Sequence, residues 1–223
     1  MKRPDLICYD FDGTLCNTLP DITESMNVVL RKNGFEAVPE EQIRGFIGSG
    51  IGKLVERAIH YALVQQEKIK TDISAVSRIG KEMAEYYNDH LIVHSHLYPG
   101  TEKILRYFSD LPQIIVSNKP EAMVRRMLGY FQIDRYFDLL VGGDTLDVSK
   151  PDPAVWEYVK DKMKLSQHID GLMVGDSLPD MIFGKTAGLR TIAVSYGYND
   201  AASLEDAGAE KIIDSLDDLR TII

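Results

Sequence analysis

The stretch Leu6-Ile7-Cys8-Tyr9-Asp10-Phe11-Asp12-Gly13-Thr14-Leu15 decides how the rest of the chain is read. Its first four residues form a short run of bulky apolar side chains, the signature of a buried strand. The run leads straight into two aspartates on alternate positions, followed by glycine and threonine where the chain must turn. Both carboxylates therefore leave the strand on the same side, at its carboxyl end. Taken alone, the pair also fits a solvated turn with two ordinary acids. Other charged groups at neighbouring strand ends would outweigh that reading.

Similar runs recur at Gln113–Val116, Leu139–Val141, Gly171–Val174, Thr191–Val194 and Lys211–Ile213, with helical patterns between them. Strands alternating with helices predict an α/β fold built on a doubly wound parallel sheet. The interval between the first two runs is too long for one crossover, and Ile22–Asn33, Ile51–Gln66 and Ile73–Leu91 read as amphipathic helices. The expected layout is a core of residues 1–15 and 93–223, with a small all-helical cap of residues 16–92 inserted after strand one. Tyr98-Pro99-Gly100 is the expected turn back to the sheet.

At 223 residues and 44% hydrophobic, the chain can bury one substantial core plus a smaller satellite. A net charge of −9 argues against nucleic acid or an anionic membrane as a partner, because both need a basic face. Cys8 and Cys16 flank the acidic motif with neither disulfide-framework nor zinc-knuckle spacing, so reduced thiols are expected. After Met1-Lys2-Arg3 the apolar run is broken at once by Asp10, so no signal-peptide core fits, and no segment is long and apolar enough for a membrane span. These features predict a cytoplasmic monomer or small homo-oligomer acting on a small molecule.

Further along, Val116-Ser117-Asn118-Lys119-Pro120 would put a hydroxyl and a free backbone N–H at the start of a helix, a natural phosphate cradle. By itself Ser117 reads more readily as an ordinary N-cap. Val148-Ser149-Lys150-Pro151-Asp152-Pro153 holds a lysine between a loop and a proline-started helix, although a lone loop lysine is usually solvated. Val174-Gly175-Asp176-Ser177-Leu178-Pro179-Asp180 brings two more acids to a strand end. Unit like charges about 4 Å apart repel by roughly 4 kcal/mol even at an effective dielectric near 20, so a cation must hold such acids together. Oxygen ligands without His or Cys point to Mg²⁺ beside a phosphate.

Asp10-x-Asp12-Gly13-Thr14, then Ser117, then Lys150, then Gly175-Asp176-x-x-x-Asp180, in that order at strand ends, resembles the four motifs of the haloacid dehalogenase superfamily. The insertion resembles that superfamily's first type of helical cap, which closes over the active site. The resemblance implies that Asp10 attacks phosphorus, Asp12 serves as acid and then base, Ser117 and Lys150 hold the phosphoryl group, and Asp176 helps bind Mg²⁺. It also implies the Asp12 backbone carbonyl as a metal ligand, with Asp180 ligating directly or orienting its neighbours. The candidate metal set is thus Asp10, Asp12, Asp176 and Asp180, and Gly13, Thr14 and Asn118 are the candidate phosphate contacts. Asp12 must carry its proton when the alkoxide leaves, so negative surroundings are expected there. Hinges near Cys16–Asn17 and His90–His94 would let the cap exclude and readmit water.

A narrower likeness, to the phosphoglycolate phosphatases of that superfamily, rests on Asn17-Thr18-Leu19-Pro20-Asp21-Ile22, on Phe46-Ile47-Gly48-Ser49-Gly50 leading to Leu54-Val55-Glu56-Arg57-Ala58, and on Gly142-Gly143-Asp144-Thr145. It implies hydrolysis of 2-phosphoglycolate or a similar small phosphate ester. Gly48, Ser49 and Gly50 open a helix and could offer backbone N–H groups to a carboxylate, making them the candidate specificity loop. The spacing fits neither a Walker loop nor a dinucleotide fingerprint. His90, His94 and His96 read as solvated. The alternatives are a sugar-phosphate mutase of the β-phosphoglucomutase type and a broad-specificity phosphatase, nucleotidase or pyrophosphatase. A dehalogenase has no use for Asp12 and the Asp176/Asp180 pair, a receiver domain has no cap, and a silent binder would not keep all four motifs.

Overall fold

The computed structural model describes residues 2–66, 73–166 and 168–223. In chain order the elements are β1 (Leu6–Tyr9), β2 (Cys16–Asn17), α1 (Leu19–Lys32), α2 (Glu40–Arg44), α3 (Ile51–Gln65) and α4 (Ile73–Asp89). Then follow β3 (His96–Leu97), α5 (Thr101–Tyr107), β4 (Gln113–Val116), α6 (Glu121–Tyr130), β5 (Leu139–Val141) and α7 (Pro153–Met163). The chain closes with β6 (Gly171–Gly175), α8 (Leu178–Ala187), β7 (Arg190–Val194), α9 (Ala201–Ala207), β8 (Lys211–Ile213) and α10 (Leu219–Ile222).

Six strands form one parallel sheet in the order β5-β4-β1-β6-β7-β8. This is the expected doubly wound α/β arrangement. In such a sheet both faces are covered by helices, so central strands lack the alternation of a half-exposed strand. Leu6, Ile7, Cys8 and Tyr9 are all fully buried, which is why β1 is an unbroken apolar run. One face of the sheet packs Cys8, Val116, Met173 and Val155 with Trp156 and Phe183, whose rings meet edge-on at 6.4 Å. Cys8 and Cys16 are buried and form no disulfide.

The chain divides into two compact units, the residues up to Asn17 with Leu97–Ile223, and Thr18–His96. Among its described residues the second unit is built from the helices α1 to α4, and it follows strand one. α1 begins at Leu19, three residues before the apolar pattern suggests, because Pro20 suits a first helical turn and Asp21 complements the helix dipole there. α2 is too short for its periodicity to register in the sequence. The unit runs on to His96, beyond the expected return at 92–93, for a reason centred on Asp21. That buried carboxylate accepts backbone N–H bonds from Val93 (3.0 Å), His94 (2.9 Å) and Ser95 (2.8 Å), tying the segment after α4 to the first turn of α1. His90, His94 and His96 are exposed, as expected of solvated histidines. Among the described residues, no helix is long and apolar enough to cross a membrane.

Removing the Asp21 carboxylate strands buried N–H groups. Asp21→Ala is expected to destabilise the protein by about 2–4 kcal/mol, read as a shift in the urea midpoint, with Asp21→Asn losing less.

Candidate active site

β1 lies between β4 and β6, where crossovers run in opposite directions, and open α/β sheets bind ligands beyond the carboxyl ends of strands at that point. Asp10 follows β1, Ser117 follows β4 and Asp176 follows β6, so the sheet brings these residues to one edge. The Asp10 N–H donates to Val174 O at 2.9 Å and the Ser117 N–H to Val141 O at 2.9 Å, extending the ladder up to the reactive positions. The backbone that aims these side chains is therefore part of the sheet.

Carboxylate oxygens of Asp10, Asp176 and Asp180 lie within 4.8 Å of one another, and all three residues are buried. Lys150 Nζ, itself buried, contacts Asp10 Oδ1 at 3.0 Å and Asp180 Oδ1 at 2.5 Å. Asp180 also closes a capping box at the start of α8, its Oδ2 accepting from the Ser177 hydroxyl at 2.6 Å, the Ser177 N–H at 3.0 Å and the Asp176 N–H at 3.2 Å. Asp176 is held at both oxygens, by the Thr14 hydroxyl at 2.7 Å and the Tyr198 N–H at 2.9 Å. A Cβ at Gly13 or Gly197 would run into the Asp176 carboxyl, so both positions require glycine for close approach.

Of the three buried carboxylates, two pair with the one ammonium, Asp10 and Asp180 with Lys150. Burial, the Asp180 charge and the Asp12 charge push the Asp10 carboxyl up to about 7 against the pull of Lys150. Burial and the charges of Asp10 and Asp180 raise Asp176 well above the carboxylate range, although the Tyr198 N–H and Thr14 hydroxyl oppose that. Burial alone would lower the Lys150 ammonium, but Asp10 and Asp180 outweigh it and hold it above the ordinary lysine value. One lysine leaves this cluster short of positive charge, and an all-oxygen donor set of this kind suits a hard divalent cation.

Several expected residues take other places. Asp12 is not among the three clustered carboxylates, and its Oδ1 is paired with Lys119 Nζ at 3.0 Å, so an ammonium stands beside it as well as the negative charge of Asp10. Thr14 is fully buried and gives its hydroxyl to Asp176, and the Gly13 N–H is bonded to Cys16 O at 2.9 Å, so neither group points to a phosphate. Asn118 donates from Nδ2 to Lys150 O at 3.0 Å, supporting the loop that carries the lysine. Ser117 is buried, but its N–H is taken by Val141 and α6 starts only after Pro120, so it is no helix cap. Gly48, Ser49 and Gly50 belong to the helical unit, with Gly48 and Gly50 at φ 108 and 83, and Gly50 caps α3.

Two features escaped the sequence reading. Lys119, next to a proline just beyond β4, carries no sequence mark of its burial. Tyr196-Gly197-Tyr198, the segment after β7, sends the Tyr196 hydroxyl to Thr14 O at 2.8 Å as well as the Tyr198 N–H to Asp176. Glycine between two aromatics just beyond a strand end was the available signal.

Residues 7–194 match the family of haloacid dehalogenase-like hydrolases. The chain belongs to that family, and it is an enzyme of the phosphatase kind. A phosphoglycolate phosphatase of Haemophilus influenzae is 33% identical over 98% of this chain and 97% of its own length. One from Pseudomonas fluorescens is 33% identical over 96% of this chain and 78% of its own. The crystal structure of a predicted phosphoglycolate phosphatase from Haemophilus somnus superposes with a TM-score of 0.91 at 31% identity, covering 100% of this chain and 99% of that one.

Gly197→Ala should displace Asp176 while leaving the sheet intact. A divalent cation is expected to bind about 10–100-fold more weakly to this variant, measured by titration calorimetry against the unaltered protein.

Proposed function

We propose that the chain is a Mg²⁺-dependent phosphate monoester hydrolase working through an aspartyl-phosphate on Asp10, with 2-phosphoglycolate or a similar small ester as substrate. The observation that carries this reading is the buried Asp10 carboxylate, clustered with Asp176 and Asp180 and bridged to Asp180 by Lys150. The substrate is suggested by the names of the full-length relatives.

In this reading an Asp10 oxygen bonds to phosphorus as the ester P–O bond breaks, and the Asp12 proton passes to the departing oxygen, which leaves as an alcohol. Asp12 then takes a proton from water, the hydroxide oxygen bonds to phosphorus, and the Asp10–phosphorus linkage breaks to release inorganic phosphate. Splitting one displacement into two, with charge held by fixed groups, is the source of the acceleration. Asp10, Asp176 and the Asp12 carbonyl would hold Mg²⁺, with Asp180 acting through Lys150 and the turn it caps. When bound, Mg²⁺ neutralises charge on the phosphoryl oxygens. Lys150 and Ser117 hold the phosphoryl group.

Phosphate release is measured from 2-phosphoglycolate, sugar phosphates, nucleoside monophosphates, pyrophosphate and p-nitrophenyl phosphate, with Mg²⁺ and with chelator. 2-Phosphoglycolate is expected to lead in kcat/KM, and Asp10→Asn to lose at least about 10³-fold. Comparable turnover of several esters would replace the narrow substrate with a generalist phosphatase. Turnover that survives Asp10→Asn would overturn the covalent route.

Below about pH 7 the cation-free Asp10 keeps a proton that a metal ion must displace. Mg²⁺ binding should therefore release protons and tighten as pH rises towards neutrality. Over the same range the stability that Asp10 contributes to the cation-free protein is lost, because the folded state keeps the Asp10 proton that the unfolded chain has already released. The rise in Tm on adding Mg²⁺ is thus expected to be larger at pH 8 than at pH 5.5, and equal rises would contradict this coupling.

A further inference from the structure

The site contains a second buried lysine that the four motifs do not account for. Lys119 has only 2% of its side chain exposed, and its ammonium lies 3.0 Å from Asp12 Oδ1, in a side chain that is itself 12% exposed. A buried ammonium is costly unless paired, so a lysine kept here without a task would be a poor choice of residue. Its main chain is pinned from both directions. The Lys119 N–H donates to Ser117 Oγ at 3.4 Å, and its carbonyl accepts from the Gly143 N–H at 2.8 Å. The two aspartates of the first motif thus have separate cations, Lys150 for Asp10 and Lys119 for Asp12.

We propose that Lys119 is a positioning residue for the acid–base step, holding the Asp12 side chain in its working orientation and stabilising the negative charge that forms there as the proton leaves. This rests on the reading of Asp12 as acid and base given above. The charge on Asp12 appears only as the ester oxygen departs, so a fixed ammonium beside it stabilises the transition state more than the ground state. The interaction matters only for leaving groups that need the proton. An alkoxide needs it, whereas p-nitrophenolate is stable enough to leave without it.

The experiment compares kcat/KM for 2-phosphoglycolate, or for whichever alkyl phosphate ranks first in the panel, with that for p-nitrophenyl phosphate. It uses the unaltered enzyme, Lys119→Met, Lys119→Gln, Asp12→Asn and the double variant Lys119→Met/Asp12→Asn, all with saturating Mg²⁺. The ratio of the two esters is taken within each sample, so any loss of folded protein cancels. Both Lys119 variants are expected to lower the alkyl-to-aryl ratio by about 10–100-fold, and the Lys119 change is expected to add nothing once Asp12 is Asn. Equal losses on the two esters would show a merely structural lysine and overturn the proposal. A ratio that still falls in the Asp12→Asn background would overturn it too, by showing that Lys119 acts without Asp12. If Asp12→Asn itself spares the ratio, the acid–base reading fails first and the role of Lys119 falls with it.

Discussion

Three carboxylates gathered in the protein interior with one ammonium between them are the constraint on which the rest of the structure depends. Like charges at this spacing cost several kcal/mol, and burial makes each charged form dearer still. Asp10, Asp176 and Asp180 are tolerated together because each is tied into the fold by bonds it would cost more to break. Asp180 closes the first turn of α8 and pairs with Lys150, Asp176 is gripped at both oxygens, and Asp10 extends directly from the central strand. The parallel sheet supplies the convergence, since only strands running in one direction deliver their carboxyl ends to one edge.

Supports for the cluster come from segments far apart in the chain. Thr14 reaches Asp176 across 162 positions, and Tyr196 clasps the backbone of Thr14 across 182. Two glycines make room for the Asp176 carboxyl where any side chain would collide with it. The loops after β4 and β5 are joined in the same way. Asp144 accepts from the Glu121 N–H at 2.7 Å at the start of α6, and Thr145 bonds to both Gly142 and Glu121. Residues that singled out a narrower likeness in the sequence are, at this place, residues that weld two loops into one support.

What was legible in the sequence follows from this physics. Buried parallel strands are nearly continuous apolar runs, so β1, β4 and β5 could be read to the residue, and acids at the strand ends stood out against turn chemistry. Side-chain type cannot announce a bond made to backbone. The partners of Asp21 are three main-chain N–H groups more than seventy positions away, so the end of the helical unit was placed too early. Lys119 was hidden for a related reason. A lysine before a proline carries no mark of burial, and its partner Asp12 lies 107 positions back along the chain.

The two aspartates of the first motif show how neighbouring residues of one type acquire opposite surroundings. They sit two positions apart on the same strand end, yet Asp10 faces two buried acids and shares its lysine, whereas Asp12 faces a lysine held for it. The acids converge at one sheet edge, as the strand ends suggest, and the densest crowding of negative charge falls on Asp10. Separating two carboxylates by environment is the usual way one site obtains two chemical roles. In the reaction proposed above, the residue crowded by negative charge, Asp10, is the one that must be a carboxylate to attack phosphorus. Its readiness therefore depends on added positive charge arriving at the site, beyond what Lys150 can supply alone. Asp12, by contrast, already has an ammonium of the chain's own beside it, that of Lys119 at 3.0 Å.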